Sequence, residues 1–148
     1  MIRWFSLLLM APLLFVAAPA IAATDVIPAS VLIQPAQLAS ELKAAPPTIL
    51  QVGFSKLYQQ AHIPGAIYAG PTNSETGLAA LKAEAEKLPR DATIVIYCGC
   101  CPWNRCPNMD AAYTTLKAMG FSKLQALYIA DNFGQDWVDK GYPVVTGQ

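Results

Sequence analysis

Charge of either sign is scarce in this chain. Ten basic residues balance ten acidic ones over 148 positions, together 14% of the sequence. Such a balance leaves no basic excess to hold a nucleic acid or an anionic membrane surface, so neither is expected as a partner. Histidine is nearly absent, with His62 the single copy. Beyond the first 22 residues there is no second long apolar run, so no membrane-spanning segment is expected there. No internal repeat or low-complexity tract is visible either.

The first residues are a different matter. Met1-Ile2-Arg3 gives a short positive start, Trp4 to Val16 is apolar except for Ser6 and Pro12, and Ala20-Ile21-Ala22 offers small residues where a signal peptidase cuts. The pattern predicts a signal peptide over 1–22, a loose leader over 23–30 and one domain over 31–148. The apolar stretch is too short and too rich in proline for a bilayer anchor, and no cysteine stands at the cleavage point for lipid attachment. A periplasmic or secreted protein is therefore expected, and loss of Arg3 tips the charge balance slightly toward acid.

All four cysteines fall within nine residues, Cys98-Gly99-Cys100-Cys101-Pro102-Trp103-Asn104-Arg105-Cys106. They follow the apolar run Ala92–Tyr97, which reads as a buried strand. An oxidising compartment would invite disulfides, yet bridges inside so short a segment close loops too small to stabilise much. Thiols where a strand gives way to a helix lie beside free backbone N–H groups that favour thiolate, so the cluster reads as functional.

Strand and helix signals alternate around it. Apolar runs at 31–33, 48–52, 66–69, 92–97 and 124–129 predict five strands. Helices are predicted from Pro35 through Leu38 and Leu42, over 77–88, through Met109, Ala112, Tyr113, Leu116 and Met119 to a stop at Gly120, and over 133–140. Alternation in a chain of this length implies an α/β sandwich with a mainly parallel central sheet flanked by helices. Ligands of such sheets bind beyond the carboxyl ends of the strands, where Cys98 lies.

Two segments carry a resemblance. Tyr58 followed by Ala61-His62-Ile63-Pro64-Gly65-Ala66-Ile67, and Ile94-Val95-Ile96-Tyr97-Cys98 followed by a helix with paired alanines at 111 and 112, resemble the motifs of the rhodanese-like sulfurtransferase family. Trp137 and Gly141-Tyr142-Pro143 are similar to its closing segment. The resemblance implies a three-layer sandwich with about five strands. It also implies an enzyme that takes sulfane sulfur from a small anionic donor such as thiosulfate onto Cys98 as a persulfide and gives it to a thiol acceptor, with no cofactor beyond that transient persulfide. Gly99, Cys100, Cys101, Trp103, Asn104 and Arg105 would form the active-site loop, and His62, Pro64 and Gly65 would be structural.

The chain departs from the family where an Asp-x-Arg usually ends the second strand and Gln51-Val52-Gly53 stands instead. Its loop is also longer, with Arg105 seven residues after Cys98, and Ala130-Asp131 replaces a Gly-Gly before the last helix. Two other readings of the loop stay open. Cys98 and Cys101 form a Cys-x-x-Cys, so a thiol–disulfide function with a redox partner protein is an alternative. Cys100, Cys101 or Cys106 would then resolve a Cys98 persulfide or sulfenate. The four thiols, with His62 nearby, also suit a soft ion such as Cu(I) or Zn(II), a reading less favoured than the persulfide.

Overall fold

Five apolar runs become five parallel strands in the computed structural model, which describes residues 26–147. In chain order they are β1 (Leu32–Ile33), β2 (Thr48–Gln51), β3 (Ile67–Tyr68), β4 (Ile94–Tyr97) and β5 (Leu124–Leu127). The sheet order is β1-β5-β4-β2-β3, and every pairing is parallel. Between the strands run α1 (Pro35–Ala44), α2 (Ser55–Gln60), α3 (Glu75–Glu86) and α4 (Pro107–Ala118). The signal-peptide reading falls outside the described residues.

The alternation of side chains along a strand divides the core in two. Ile94, Ile96 and Cys98 turn toward α3 and α4, where they pack with Leu81, Ala85, Met109, Ala112 and Leu116. Val95 and Tyr97 turn to the opposite face, against Leu38, Ile63, Phe133 and Trp137. β4 is the middle strand and all four of its residues are buried. Each of its isoleucines contributes roughly 1.5–3 kcal/mol by leaving water. The most strongly held strand thus ends at Cys98, which gives the thiol a rigid base.

Sequence expectation and structure differ in detail. Strands predicted at 66–69 and 124–129 pair only over Ile67–Tyr68 and Leu124–Leu127. Helix α3 starts earlier than expected because the Ser74 hydroxyl accepts from Gly77 N–H at 3.1 Å. Helix α2 was not anticipated, since Ser55–Gln60 has no fully buried residue and hence a weak apolar stripe. The predicted last helix is a π-type turn over Gly134–Val138, fixed by Asn132, whose side chain accepts from Gln135 N–H at 3.0 Å. The leader is not loose where it is described. Ile27 is fully buried in the α3/α4 core, so ordered packing begins before residue 31.

Candidate functional site

Where β4 ends, the chain must turn away from the sheet, and Gly99 makes the turn at φ +92°. A side chain there would adopt a strained backbone and press on Phe133 Cβ at 3.1 Å. The Gly99 carbonyl accepts from Phe133 N–H at 3.0 Å, and Trp103 N–H donates to the Ile129 carbonyl at 2.9 Å. These two bonds pin the enlarged loop to the segment after β5. Trp103 itself lies half-buried against the core.

Cys98 is 3% exposed and is held from the neighbouring strand. Gln51, buried at the end of β2, donates from Nε2 to the Cys98 carbonyl at 2.9 Å, and its Oε1 accepts from Gly53 N–H at 3.3 Å. Gly53 sits so close that a Cβ would lie 2.5 Å from the Cys98 oxygen and 2.8 Å from its sulfur. At this strand end a neutral amide thus does the holding. Asn108 closes the other side, its Nδ2 lying 3.5 Å from Cys98 Sγ. Its backbone oxygen accepts from the Thr72 hydroxyl at 2.6 Å and its Oδ1 from Asn73 N–H at 2.9 Å. Neither Gln51 nor Asn108 was among the sequence-predicted site residues. Only the Gln51 departure from the family pattern hinted at one of them.

The four sulfurs gather around Cys100. Its Sγ is 3.2 Å from that of Cys98, 3.0 Å from that of Cys101 and 3.9 Å from that of Cys106. The sulfurs of Cys98, Cys100 and Cys106 all lie within 4.8 Å of one another. Cys98 thus contacts the Cys100 thiol, which lies outside its Cys-x-x-Cys pair with Cys101.

The thiols are not equivalent in acidity. Cys106 is the N-cap of α4 and is held down to about 5. The Cys98 thiol facing it is the largest cause, and the N–H groups of Met109 and Asn108 add to it against the opposing cost of burial. Cys106 makes no formed side-chain cap bond, so those N–H groups act on it mainly as the positive end of the helix. Cys98 is pushed above the ordinary thiol range, first by its interaction with Cys106 and then by burial. Burial and the neighbouring thiols also raise Cys101. Of Cys98, Cys101 and Cys106, Cys106 alone is shifted toward the thiolate. Of the clustered thiols, the one at the start of α4 is Cys106, its N-cap.

A cavity of about 400 Å³ opens in front of the cluster. Cys98, Gly99 and Cys100 form one wall, and Tyr97, Phe133, Leu57 and Val138 supply an apolar one, with Gln51, Gln60 and Asn132 as polar points. Among the described residues, no lysine, arginine or histidine lines it. Asn104 and Arg105 are exposed on a short 3-10 turn and do not reach its wall.

His62 is also outside the thiol group. Its ring stacks on Tyr58 with centroids 3.8 Å apart, and Nδ1 lies 2.7 Å from the Tyr58 carbonyl, which fixes the proton on that nitrogen. Its backbone exchanges two bonds with Val145, each 2.9 Å, tying the His62-Ile63-Pro64-Gly65 turn to the C-terminal tail.

The arrangement has solved counterparts. A rhodanese-related protein of Thermoplasma volcanium superposes with a TM-score of 0.55 at 24% identity, covering 76% of this chain and 95% of that one. The rhodanese-like domain of an Anabaena sp. protein gives 0.57 at 20% identity, with 78% and 79% covered. A thiosulfate sulfurtransferase of Pseudomonas aeruginosa gives 0.58 at 19% identity, covering 79% of this chain but only 20% of the longer neighbour. At these identities the likeness is one of fold. No curated protein matches the chain. The sequence profile of the rhodanese-like domain matches residues 34–139, a span that runs from α1 past the cysteine loop to Trp137, and by that match the chain belongs to the rhodanese-like domain family.

Proposed function

We propose that the protein is an exported sulfurtransferase that carries sulfane sulfur as a persulfide on Cys98. The observation that supports it most is the seat of Cys98 at the end of the central strand, its sulfur against a cavity large enough for a small donor. In the first step the Cys98 sulfur, its proton passing to the neighbouring Cys106 thiolate, attacks the outer sulfur of a donor R–S–SH, forming Cys98–S–SH and releasing RS⁻. An acceptor thiolate then attacks that outer sulfur, leaves as its own persulfide and restores the Cys98 thiolate. Membership of the family supports the same reaction class.

The cavity also bears on the donor. A dianion such as thiosulfate would enter without a counter-charge, because Arg105 is exposed outside the cavity and, among the described residues, no other cation lines the wall. An apolar wall with a few amide groups suits a thiol-borne persulfide better. Single-turnover loading of the reduced protein with glutathione persulfide should outpace loading with thiosulfate at equal concentration. Faster loading by thiosulfate would refute the donor assignment. Export is tested by sequencing the N-terminus of the protein recovered outside the cytoplasm, which should begin near Ala23.

The 3.2 Å separation of Cys98 and Cys100 supports a second fate for the persulfide. Attack by the Cys100 thiolate on Cys98 Sγ would form a Cys98–Cys100 disulfide and expel the outer sulfur as hydrosulfide. The bond then needs an external dithiol to reopen it. Sulfide released from the loaded protein without added thiol, and lost in Cys100→Ser, would establish this branch.

A further inference from the structure

The geometry points to a three-thiolate site for a soft monovalent ion, Cu(I), built from Cys98, Cys100 and Cys106. Three ligands around one ion with metal–thiolate bonds of about 2.3 Å place their sulfurs about 4 Å apart. Here two of the separations are 3.2 and 3.9 Å, and all three sulfurs lie within 4.8 Å of one another. Seating an ion requires the Cys98 and Cys100 sulfurs to part by about 0.8 Å, while Cys100 and Cys106 already stand at the needed separation.

The donor set selects the ion. Among the described residues, the group of His, Cys, Asp and Glu side chains near enough to share a metal holds cysteines only. His62 is engaged with Tyr58 and Val145, and no carboxylate joins the cluster. All-sulfur donors favour Cu(I) over hard divalent ions. The ligand number favours it over zinc, whose structural sites take four ligands. Cys101 touches Cys100 at 3.0 Å but stands outside the mutually close trio.

Two further features fit such an ion. Cys98 and Cys106 are almost fully buried, so a bound cation would be shielded from water, while Cys98 and Cys100 line the cavity and provide access. The N-terminus of α4, which Cys106 caps, offsets the excess negative charge of three thiolates on one positive ion. Binding exchanges thiol protons for Cu(I), which are released to solvent, and no electron is transferred. This site does not depend on the sulfurtransferase reading, since Cu(I) can be offered with no sulfur donor present.

The test is an anaerobic titration of the full reduced protein with Cu(I) against the chelator bicinchoninate, followed by X-ray absorption of the loaded protein. The expected result is one Cu(I) per chain with three sulfurs at about 2.3 Å. Cys106→Ser and Cys100→Ser should each weaken binding by about 100-fold or more, and Cys101→Ser should leave it unchanged. If the buried Cys106→Ser variant does not fold, half-buried Cys100→Ser and the sulfur count of the unaltered protein decide. Failure to compete for Cu(I), a four-sulfur shell, or equal weakening by Cys101→Ser would overturn the assignment.

Discussion

Gln51 Nε2 donates to the Cys98 carbonyl at 2.9 Å while its Oε1 accepts from Gly53 N–H, so one buried amide clamps the end of β2 to the end of β4. Both partners are buried, and removing the amide leaves a carbonyl and an N–H without replacement. Gln51→Ala should destabilise the fold by about 1–3 kcal/mol and slow sulfur loading of Cys98 more than it alters donor binding. Urea unfolding and single-turnover loading measure the two effects; unchanged stability would show that water replaces the clamp.

Gly53→Ala should be worse for function than for folding. The new methyl would meet the Cys98 carbonyl oxygen at 2.5 Å, and backbone cannot give way as a flexible side chain can. Overpacking of this kind costs about 1–3 kcal/mol, and relief requires moving Cys98 itself. Loading should fall steeply in a variant that still shows a cooperative melt. Wild-type loading rates in Gly53→Ala would mean that the Cys98 position is not critical.

The acidity of the thiols predicts a pH profile for the reduced, metal-free protein. Cys106 is held down to about 5, against about 8.5 for a free cysteine. Between those values the unfolded chain binds a proton at Cys106 that the folded chain does not, so stability rises with pH across that window and this contribution is lost as pH falls through about 5. Cys98 and Cys101 are shifted the other way. Above the free-cysteine value they keep protons that the unfolded chain has lost, and stability falls. Cys106→Ser should flatten the rise below neutrality and remove the thiolate ultraviolet absorbance at pH 6. An unaltered profile would place that thiolate elsewhere.

The burial of Tyr97 provides a check on the scaffold behind the site. Its hydroxyl accepts from Ile63 N–H at 3.2 Å, joining β4 to the turn that carries His62. Tyr97→Phe leaves that buried N–H unpaired and should cost about 1–3 kcal/mol without changing which cysteine takes up sulfur. Peptide mapping of the loaded variant reads the second point.

Much of this was legible in the sequence because the signals were local. Five apolar runs, the Pro35 helix start and the Gly120 stop, with φ +91°, each report on their own few residues. The α/β class followed from their alternation, and the seat of Cys98 from the end of the 92–97 run. What stayed hidden depended on residues distant in the chain. The Gln51 clamp spans 47 residues, and the Asn108 links to Thr72 and Asn73 span 36 and 35. The order of the sulfurs was hidden too. Sequence spacing paired Cys98 with Cys101, whereas the φ +92° turn at Gly99 folds Cys100 back onto Cys98. Arg105, which the resemblance puts in the active-site loop, is carried to the surface by the 3-10 turn.

The central claim is that Cys98 carries the sulfur. Intact-mass analysis and peptide mapping of the reduced protein after exposure to glutathione persulfide should find one added sulfur, on Cys98, abolished in Cys98→Ser and discharged by a thiol. No adduct from any donor, or an adduct on Cys100, Cys101 or Cys106 that persists in Cys98→Ser, would contradict it.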